Sequence, residues 1–182
     1  MNIEVLINMD EALDYARNRL GDLQKKANMA VRTAINKSAK EIKKHDEKIT
    51  KKTYTDKNDI NDLQFKKATT GNLQAILKDK GRNISLTHFS HYPGWLFYAA
   101  VKKSEKDVWK YGNPAFTVKS PKLKTIGPFV RKSKNRFPIE KLSSISSPVQ
   151  HGNPSIWAQV EPNSKEILYK YLDKEIERIL SK

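Results

Sequence analysis

The side chains in this sequence that could do chemistry are mainly cations, concentrated between residues 119 and 136. Acidic side chains are scarce there, because residues 106–139 contain a single carboxylate, Asp107. A surface with this charge attracts anions such as nucleic-acid phosphates or the acidic face of a protein. We therefore predict that seven residues contact a partner or DNA: Lys119, Lys122, Lys124, Arg131, Lys132, Lys134 and Arg136.

Four of these cations belong to one stretch, residues 127–149, in which apolar residues flank the charge on both sides. This order predicts a strand that leads into a cationic loop, followed by a segment that Phe137 and Ile139 anchor to the body of the protein. Pro138 fixes its own φ angle and disfavours helix at Phe137, so we expect the segment to be extended. An ordinary solvated hairpin with a basic tip is the alternative.

Arg131 and Arg136 have a second interpretation, in which they are mainly structural. Each could pair with a carboxylate such as Glu140 or Glu161, and an exposed pair of this kind contributes only about 0–1 kcal/mol. The sequence leaves open whether these arginines stabilise the fold or face a partner.

The sequence lacks the residue patterns of common catalytic and metal sites. It contains no cysteine, which excludes thiolate metal ligands and cysteine nucleophiles. It also has no glycine-rich phosphate loop, no GxSxG turn and no HExxH helix. His88 and His91 are three residues apart, but no nearby carboxylate or cysteine completes a tetrahedral site. We therefore expect no enzymatic activity, no metal and no cofactor.

The positive charge is concentrated in the central part of the chain. The formal net charge is +15, and residues 61–160 account for +12 of it, with 17 basic and five acidic residues. This asymmetry supports an alternative hypothesis, a protein that binds nucleic acid without reading its sequence. The basic loops would contact phosphates, and aromatic rings would stack on bases. The rings available for stacking are those of Trp95, Trp109, Tyr111 and Phe116.

No segment of the sequence has the pattern of a membrane span or a secretory signal. The longest apolar runs are far shorter than the roughly 20 residues that a membrane-spanning helix needs. The N-terminal residues lack a basic region followed by an apolar one. We expect no membrane association and a protein that stays in the cytoplasm until it assembles.

The hydrophobic periodicity predicts an α+β fold in a single domain over residues 1–182. Residues 10–54 are predicted to form a long helical region, with a bend at Gly21. Residues 60–160 are predicted to be mainly β, as a mostly antiparallel sheet or a small sandwich. Residues 161–182 are predicted to form a C-terminal helix that packs back on the sheet.

The helix after Gly21 is unusually long for a chain of this size, since no Gly or Pro occurs between Asp22 and Tyr54. Small and apolar residues recur along it at helical spacing. Two interpretations remain open: a core helix with a charged outer face, or an arm that reaches a neighbouring subunit. Its lysine-rich half, residues 37–52, is expected to be solvated or to face a partner.

The β region contains several predicted strands. Residues 63–66 and 73–77 are separated by a turn and predict a hairpin. Residues 95–101 are almost wholly apolar, which is typical of a central strand.

The end of the chain is predicted to return from sheet to helix. Residues 155–160 are predicted to be the last strand. Pro162 then precedes the helix, which Asn163 or Ser164 would cap.

Two motifs, taken in order, point to a known family. The first lies on the long helix, where residues 30–39 read AVRTAINKSA. The second begins at Ala115-Phe116 and continues through Phe129-Val130-Arg131-Lys132 and Arg136-Phe137-Pro138-Ile139 to Ser147-Pro148. This order, which spans about residues 25–150, resembles the minor tail protein Z family of tailed bacteriophages and prophages.

The resemblance implies a structural protein at the head-proximal end of a phage tail, with a role in tail completion and head–tail joining. It further implies a ring, suggested to be a hexamer, that contacts tail-tube, terminator or neck proteins and borders the DNA channel. Such a protein would be assembled in the host cytoplasm and would end up in the virion. The lysine-rich end of the long helix and residues 114–124 lie outside the motifs and take no role from the resemblance.

Overall fold

The computed structural model describes residues 2–3, 9–56, 63–92, 98–104, 115–118 and 127–182. Within them the predicted α+β class is confirmed. The helices are α1 (Met9–Leu20), α2 (Ala27–Thr53), α3 (Ser147–His151) and α4 (Pro154–Leu180). The strands are β1 (Asn2–Ile3), β2 (Gln64–Lys66), β3 (Ile76–Lys78), β4 (Asn83–Ser85), β5 (Ser90–Tyr92), β6 (Tyr98–Ala100), β7 (Phe116–Val118), β8 (Gly127–Arg131), β9 (Ile139–Lys141) and β10 (Ser143–Ser146).

The described strands form small antiparallel sheets. Their orders are β1-β3-β2, β10-β4, β5-β6 and β7-β8-β9. The predicted hairpin between residues 63–66 and 73–77 is confirmed as β2 and β3, with Phe65 opposite Leu77. Of the central strand predicted over residues 95–101, residues 95–97 lie outside the described residues. The described part, β6, pairs with β5 alone among the described strands, so the predicted central position is not observed there.

The chain divides into two compact units. The first comprises Met1–Glu47, Asp62–Lys80 and His151–Lys182, and the second comprises Lys48–Asn61 and Gly81–Gln150. The core of the first unit is helical. It is made by residues of α1, α2 and α4, including Ala16, Val31, Ala34, Leu168 and Leu172.

Helix α2 buries one face along its whole length, which supports its interpretation as a core helix. Its 27 residues span about 40 Å at 1.5 Å per residue. Small side chains on the buried face let neighbouring elements approach closely.

The predicted bend at Gly21 is confirmed, because Gly21 has a φ angle of +50° and opens a 3-10 turn between α1 and α2. The lysine-rich half is only partly solvated, since Ile42, Asp46 and Ile49 are buried there.

The strand predicted over residues 155–160 is wrong, because α4 begins at Pro154. The Asn153 side chain caps this helix by accepting a hydrogen bond from the Ser155 N–H at 3.0 Å. Pro162 lies inside α4 rather than before it. Its missing N–H removes one helical hydrogen bond, to the carbonyl of Ala158, and both residues are exposed so that water can solvate that carbonyl.

The core of the second unit is built from short strands and the segments between them. It comprises Leu86, Phe89, Ala99, Ala115, Val130 and Leu142. The Leu142 N–H donates to the Pro128 carbonyl at 2.8 Å, which continues the pairing of β8 and β9 beyond the strand. In the part of the chain that the structure describes, no helix is long and apolar enough to cross a membrane.

Candidate functional site

Four of the seven predicted contact residues lie in one exposed segment of the second unit. Arg131 ends β8, and Lys132, Lys134 and Arg136 follow in the connection to β9. All residues from 131 to 138 are exposed, and we call residues 131–137 the cationic loop. The other three candidates, Lys119, Lys122 and Lys124, lie outside the described residues.

The cationic loop is held at its base by backbone pairing. Strands β8 and β9 align Phe129 with Lys141 and Arg131 with Ile139. The Lys132 N–H then donates to the Pro138 carbonyl at 3.2 Å. Within the loop, the Asn135 N–H donates to the Ser133 hydroxyl at 3.2 Å. These bonds give the loop a defined conformation although its side chains are in water.

The side chains of the loop contact aromatic rings and one carboxylate. The Arg131 guanidinium lies 5.5 Å from the centroid of the Phe116 ring on β7, and that of Arg136 lies 5.9 Å from the centroid of the Phe137 ring. Exposed cation–π contacts of this kind contribute about 0.5–1 kcal/mol. Glu140, which was a candidate partner for the arginines, lies 3.2 Å from the Lys132 ammonium.

The predicted anchoring role of Phe137 is wrong, because its side chain is 64% exposed. Ile139 is only half-buried. The hairpin is instead held by the buried residues Phe129 and Val130, which precede the loop. Because β8 and β9 already fix both ends of the loop, the loop does not need Phe137 to anchor it. The loop therefore presents an aromatic ring to solvent beside its four cations.

A second cluster of ionisable groups lies buried in the first unit. His151 ends α3, Asp46 lies on α2 and Asp79 directly follows β3; all three are at least 97% buried. The imidazole Nδ1 hydrogen-bonds the Asp46 carboxylate. The Nε2 atom lies 3.9 Å from Asp79 Oδ2. One imidazole therefore faces carboxylates on both of its nitrogens, and we call these three residues the histidine cluster.

The histidine cluster resembles part of a catalytic triad but has a different environment. A carboxylate that orients an imidazole is a feature of hydrolytic triads, where the second nitrogen faces a hydroxyl nucleophile. Here the second nitrogen faces another carboxylate, and His151 is fully buried. Among the described residues, no group of three or more His, Asp or Glu side chains has an arrangement that could hold a metal ion. The geometry suits a buried structural network.

One feature of the sequence indicated this cluster: a carboxylate on the apolar stripe of the long helix. Asp46 falls on the buried stripe of α2, four residues after Ile42 and three before Ile49. A carboxylate on an apolar stripe requires a buried partner. The sequence does not show that the partner comes from residue 151, because only the tertiary fold brings the two together.

Comparisons with known proteins identify no relative: no family model, no curated protein and no solved structure matches this chain. The helix motif at residues 30–39 lies within α2, and the second motif follows β7, β8, the cationic loop and β9.

Proposed function

We propose that this protein is a structural subunit of a phage tail, at the end that joins the DNA-filled head. The observation that carries the proposal is the exposed cationic loop, which contains the central residues of the tail-protein motif and is presented by a hydrogen-bonded hairpin. Contact residues are often carried on loops that a rigid scaffold positions. The proposed role needs no catalytic group, and the subunit acts through shape and surface charge.

The helix motif has a different explanation, because its residues maintain the fold. Ala30 and Ala34 are buried in the core of the first unit. The Asn36 side chain donates to the Ala68 carbonyl at 3.1 Å and accepts from the Ala68 N–H at 2.8 Å. Lys37 pairs with the buried Glu175. One motif thus secures the fold, and the other supplies a surface for neighbours.

In this proposal the subunit forms a ring, suggested to be hexameric, and contacts tail-tube, terminator or neck proteins. Its place in the particle is the virion tail, reached after assembly in the host cytoplasm. The positive surface would also tolerate DNA that passes through the channel, because phosphate attraction needs no sequence readout.

The proposal is tested by deleting the gene for this chain from the phage or prophage genome that encodes it. We expect particles with DNA-filled heads but defective or unattached tails, and rescue by the wild-type chain supplied in trans. We also expect the protein in purified virions by mass spectrometry. Infectious particles at normal yield without the chain, or virions that do not contain it, would contradict the proposal.

A second candidate function is non-specific binding of nucleic acid. The observation that favours it is the exposure of Lys132, Lys134 and Arg136 beside the exposed Phe137 ring, since cations and an aromatic surface together suit single strands. Trp95, Trp109 and Tyr111 lie outside the described residues. The effect of Phe137→Ala on binding to single-stranded DNA separates this candidate from the first.

A further inference from the structure

We propose that the cationic loop docks onto an acidic protein surface that offers an apolar pocket for the Phe137 ring. The expectation that this partner is a tail or neck protein rests on the proposed function. The docking geometry itself depends only on the loop.

The charge of the loop selects an acidic partner. Residues 131–137 contain four cations and no carboxylate. Glu140, on β9, pairs with Lys132 and offsets one of them. The side chains of Lys134 and Arg136 lie at the exposed tip. Complementary charge accelerates encounter and fixes orientation more than it adds affinity.

The Phe137 ring supplies the apolar contact that charge alone lacks. It is 64% exposed at the end of a polar loop, and Arg136 lies next to it in sequence and 5.9 Å from its centroid. Aromatic and Arg side chains are the types that dominate protein interfaces once they are desolvated in a pocket. Because most of the ring is in water, its burial in a partner's pocket would contribute favourable binding free energy.

The loop is ordered before it binds, which lowers the entropic cost of docking. Pairing of β8 with β9, the bond from Lys132 to Pro138 and the bond from Asn135 to Ser133 fix its backbone. A preorganised loop loses less conformational freedom on binding than a flexible one. This distinguishes it from a disordered basic tail, which would bind polyanions in many conformations.

The exposed Phe137 ring in the loop favours a protein over duplex DNA as the partner. Lysines and arginines suffice for phosphate contacts, and a phenyl ring has no donor for a phosphate oxygen. A protein partner gains from both the charge and the ring. The two cases therefore predict different effects of removing the ring alone.

The partner is identified by photo-crosslinking in cells that assemble particles. The full-length chain carries benzoylphenylalanine at position 137, and the crosslinked peptides are identified by mass spectrometry. We expect a single major site, in a segment of a tail or neck protein with an excess of Asp and Glu. Crosslinks to DNA, to another copy of this chain or to a basic segment overturn the proposal, as does the absence of any crosslink while the protein is present.

Affinity for the crosslinked protein is then measured with three variants of the full chain. We expect Lys134→Glu with Arg136→Glu to weaken binding by at least about tenfold, and Phe137→Ala to weaken it by about tenfold with an unchanged salt dependence. The control, Lys40→Glu with Lys44→Glu, makes the same charge change at exposed positions of α2 and should change affinity little. Equal losses in the loop variant and the control overturn the proposal.

These outcomes are separable from those for the tail function. If the chain is absent from virions but still crosslinks to an acidic protein segment in cells, the docking inference stands and the proposed function fails. If the chain is present in virions but position 137 crosslinks to DNA, the function stands and the inference fails.

Discussion

At the scale of single residues, His151 is the least exposed ionisable side chain among the described residues. It has no exposed surface, and its two ring nitrogens face Asp46 and Asp79. Two buried carboxylates are costly unless hydrogen bonds or opposite charge compensate them. The imidazole hydrogen-bonds Asp46 and lies 3.9 Å from Asp79, so it links side chains that come from three distant parts of the chain.

We expect His151→Asn to lower the free energy of unfolding by about 1–3 kcal/mol, because it replaces the imidazole that hydrogen-bonds the buried Asp46 carboxylate. Urea denaturation followed by circular dichroism measures the change. His45→Asn makes the same replacement at a half-buried position of α2 and should cost much less. A double-mutant cycle with Asp46→Asn should give a coupling of about 0.5–3 kcal/mol. Equal changes in the free energy of unfolding at positions 45 and 151, with no coupling to Asp46, would show that the histidine cluster does not stabilise the fold.

At the scale of elements, polar contacts reinforce the packing of α1, α2 and α4. The Lys37 ammonium lies 2.5 Å from Glu175 Oε1, and Arg178 donates to the other carboxylate oxygen at 3.0 Å. The phenol of Tyr15 donates to Asp173 at 2.7 Å, and that hydrogen bond raises the Tyr15 pKa. Tyr171 likewise donates to Glu41, which raises the Tyr171 pKa.

The contact between α2 and α4 at Glu175 predicts a dependence of stability on pH. Burial alone would raise the Glu175 pKa, but the hydrogen bond and charge of Lys37, with those of Arg178, lower it below its ordinary value of 4.5. A carboxyl with a lowered pKa in the folded state contributes stability above its unfolded pKa. That contribution is lost as the pH falls below about 4.5 through the folded pKa.

We expect Glu175→Gln to reduce stability at pH 7 by about 1.5–3 kcal/mol, the range for a hydrogen bond to a charged group. The difference from wild type should shrink as the pH is lowered below about 4.5, because the wild-type carboxyl is then protonated. Glu177→Gln, at an exposed position of the same helix, is the matched control. Urea midpoints at several pH values give the comparison, and a difference that stays constant with pH would refute the assignment.

The sequence at the start of α4 has a spacing of apolar residues that fits a strand and a helix equally well. Ile156 and Val160 are four residues apart, a spacing that fits both one face of a strand and one face of a helix. Only the continuation through Ser164, Leu168 and Leu172, all buried, shows that the period is helical. Pro162 suggested a helix start because proline is common there, but Pro154 occupies that position.

At the scale of the whole molecule, the charge distribution predicts how the protein meets polyanions. The net +12 of residues 61–160 produces a positive potential that attracts phosphates whatever the docking partner of the loop is. Binding of this kind depends on counterion release and is therefore sensitive to salt.

We expect weak binding to a short duplex DNA. For four phosphate contacts, its affinity should fall by about a hundredfold between about 50 and about 200 mM salt. Lys134→Glu with Arg136→Glu should reduce both the affinity and the salt dependence, whereas Phe137→Ala should leave both unchanged. Fluorescence anisotropy with labelled DNA provides the measurement. If Phe137→Ala weakened binding to single-stranded DNA more than binding to the acidic protein, the nucleic-acid hypothesis would replace the docking one.

The sequence by itself determined the buried stripe of α2 and the presence of a basic segment. The stripe on α2 and the bend at Gly21 follow from local periodicity and glycine conformation, so they were predictable, as was the hairpin of β2 and β3. The charge of residues 131–136 is likewise a property of composition alone.

Only the tertiary structure decided how these parts are used. It exposed Phe137 instead of burying it, because strands β8 and β9 already hold the loop. It brought His151 to Asp46 across 105 positions of sequence, a contact that no local pattern specifies. Periodicity reports which face of an element is buried, and the choice of partner for a buried charge or an exposed ring depends on contacts between distant segments.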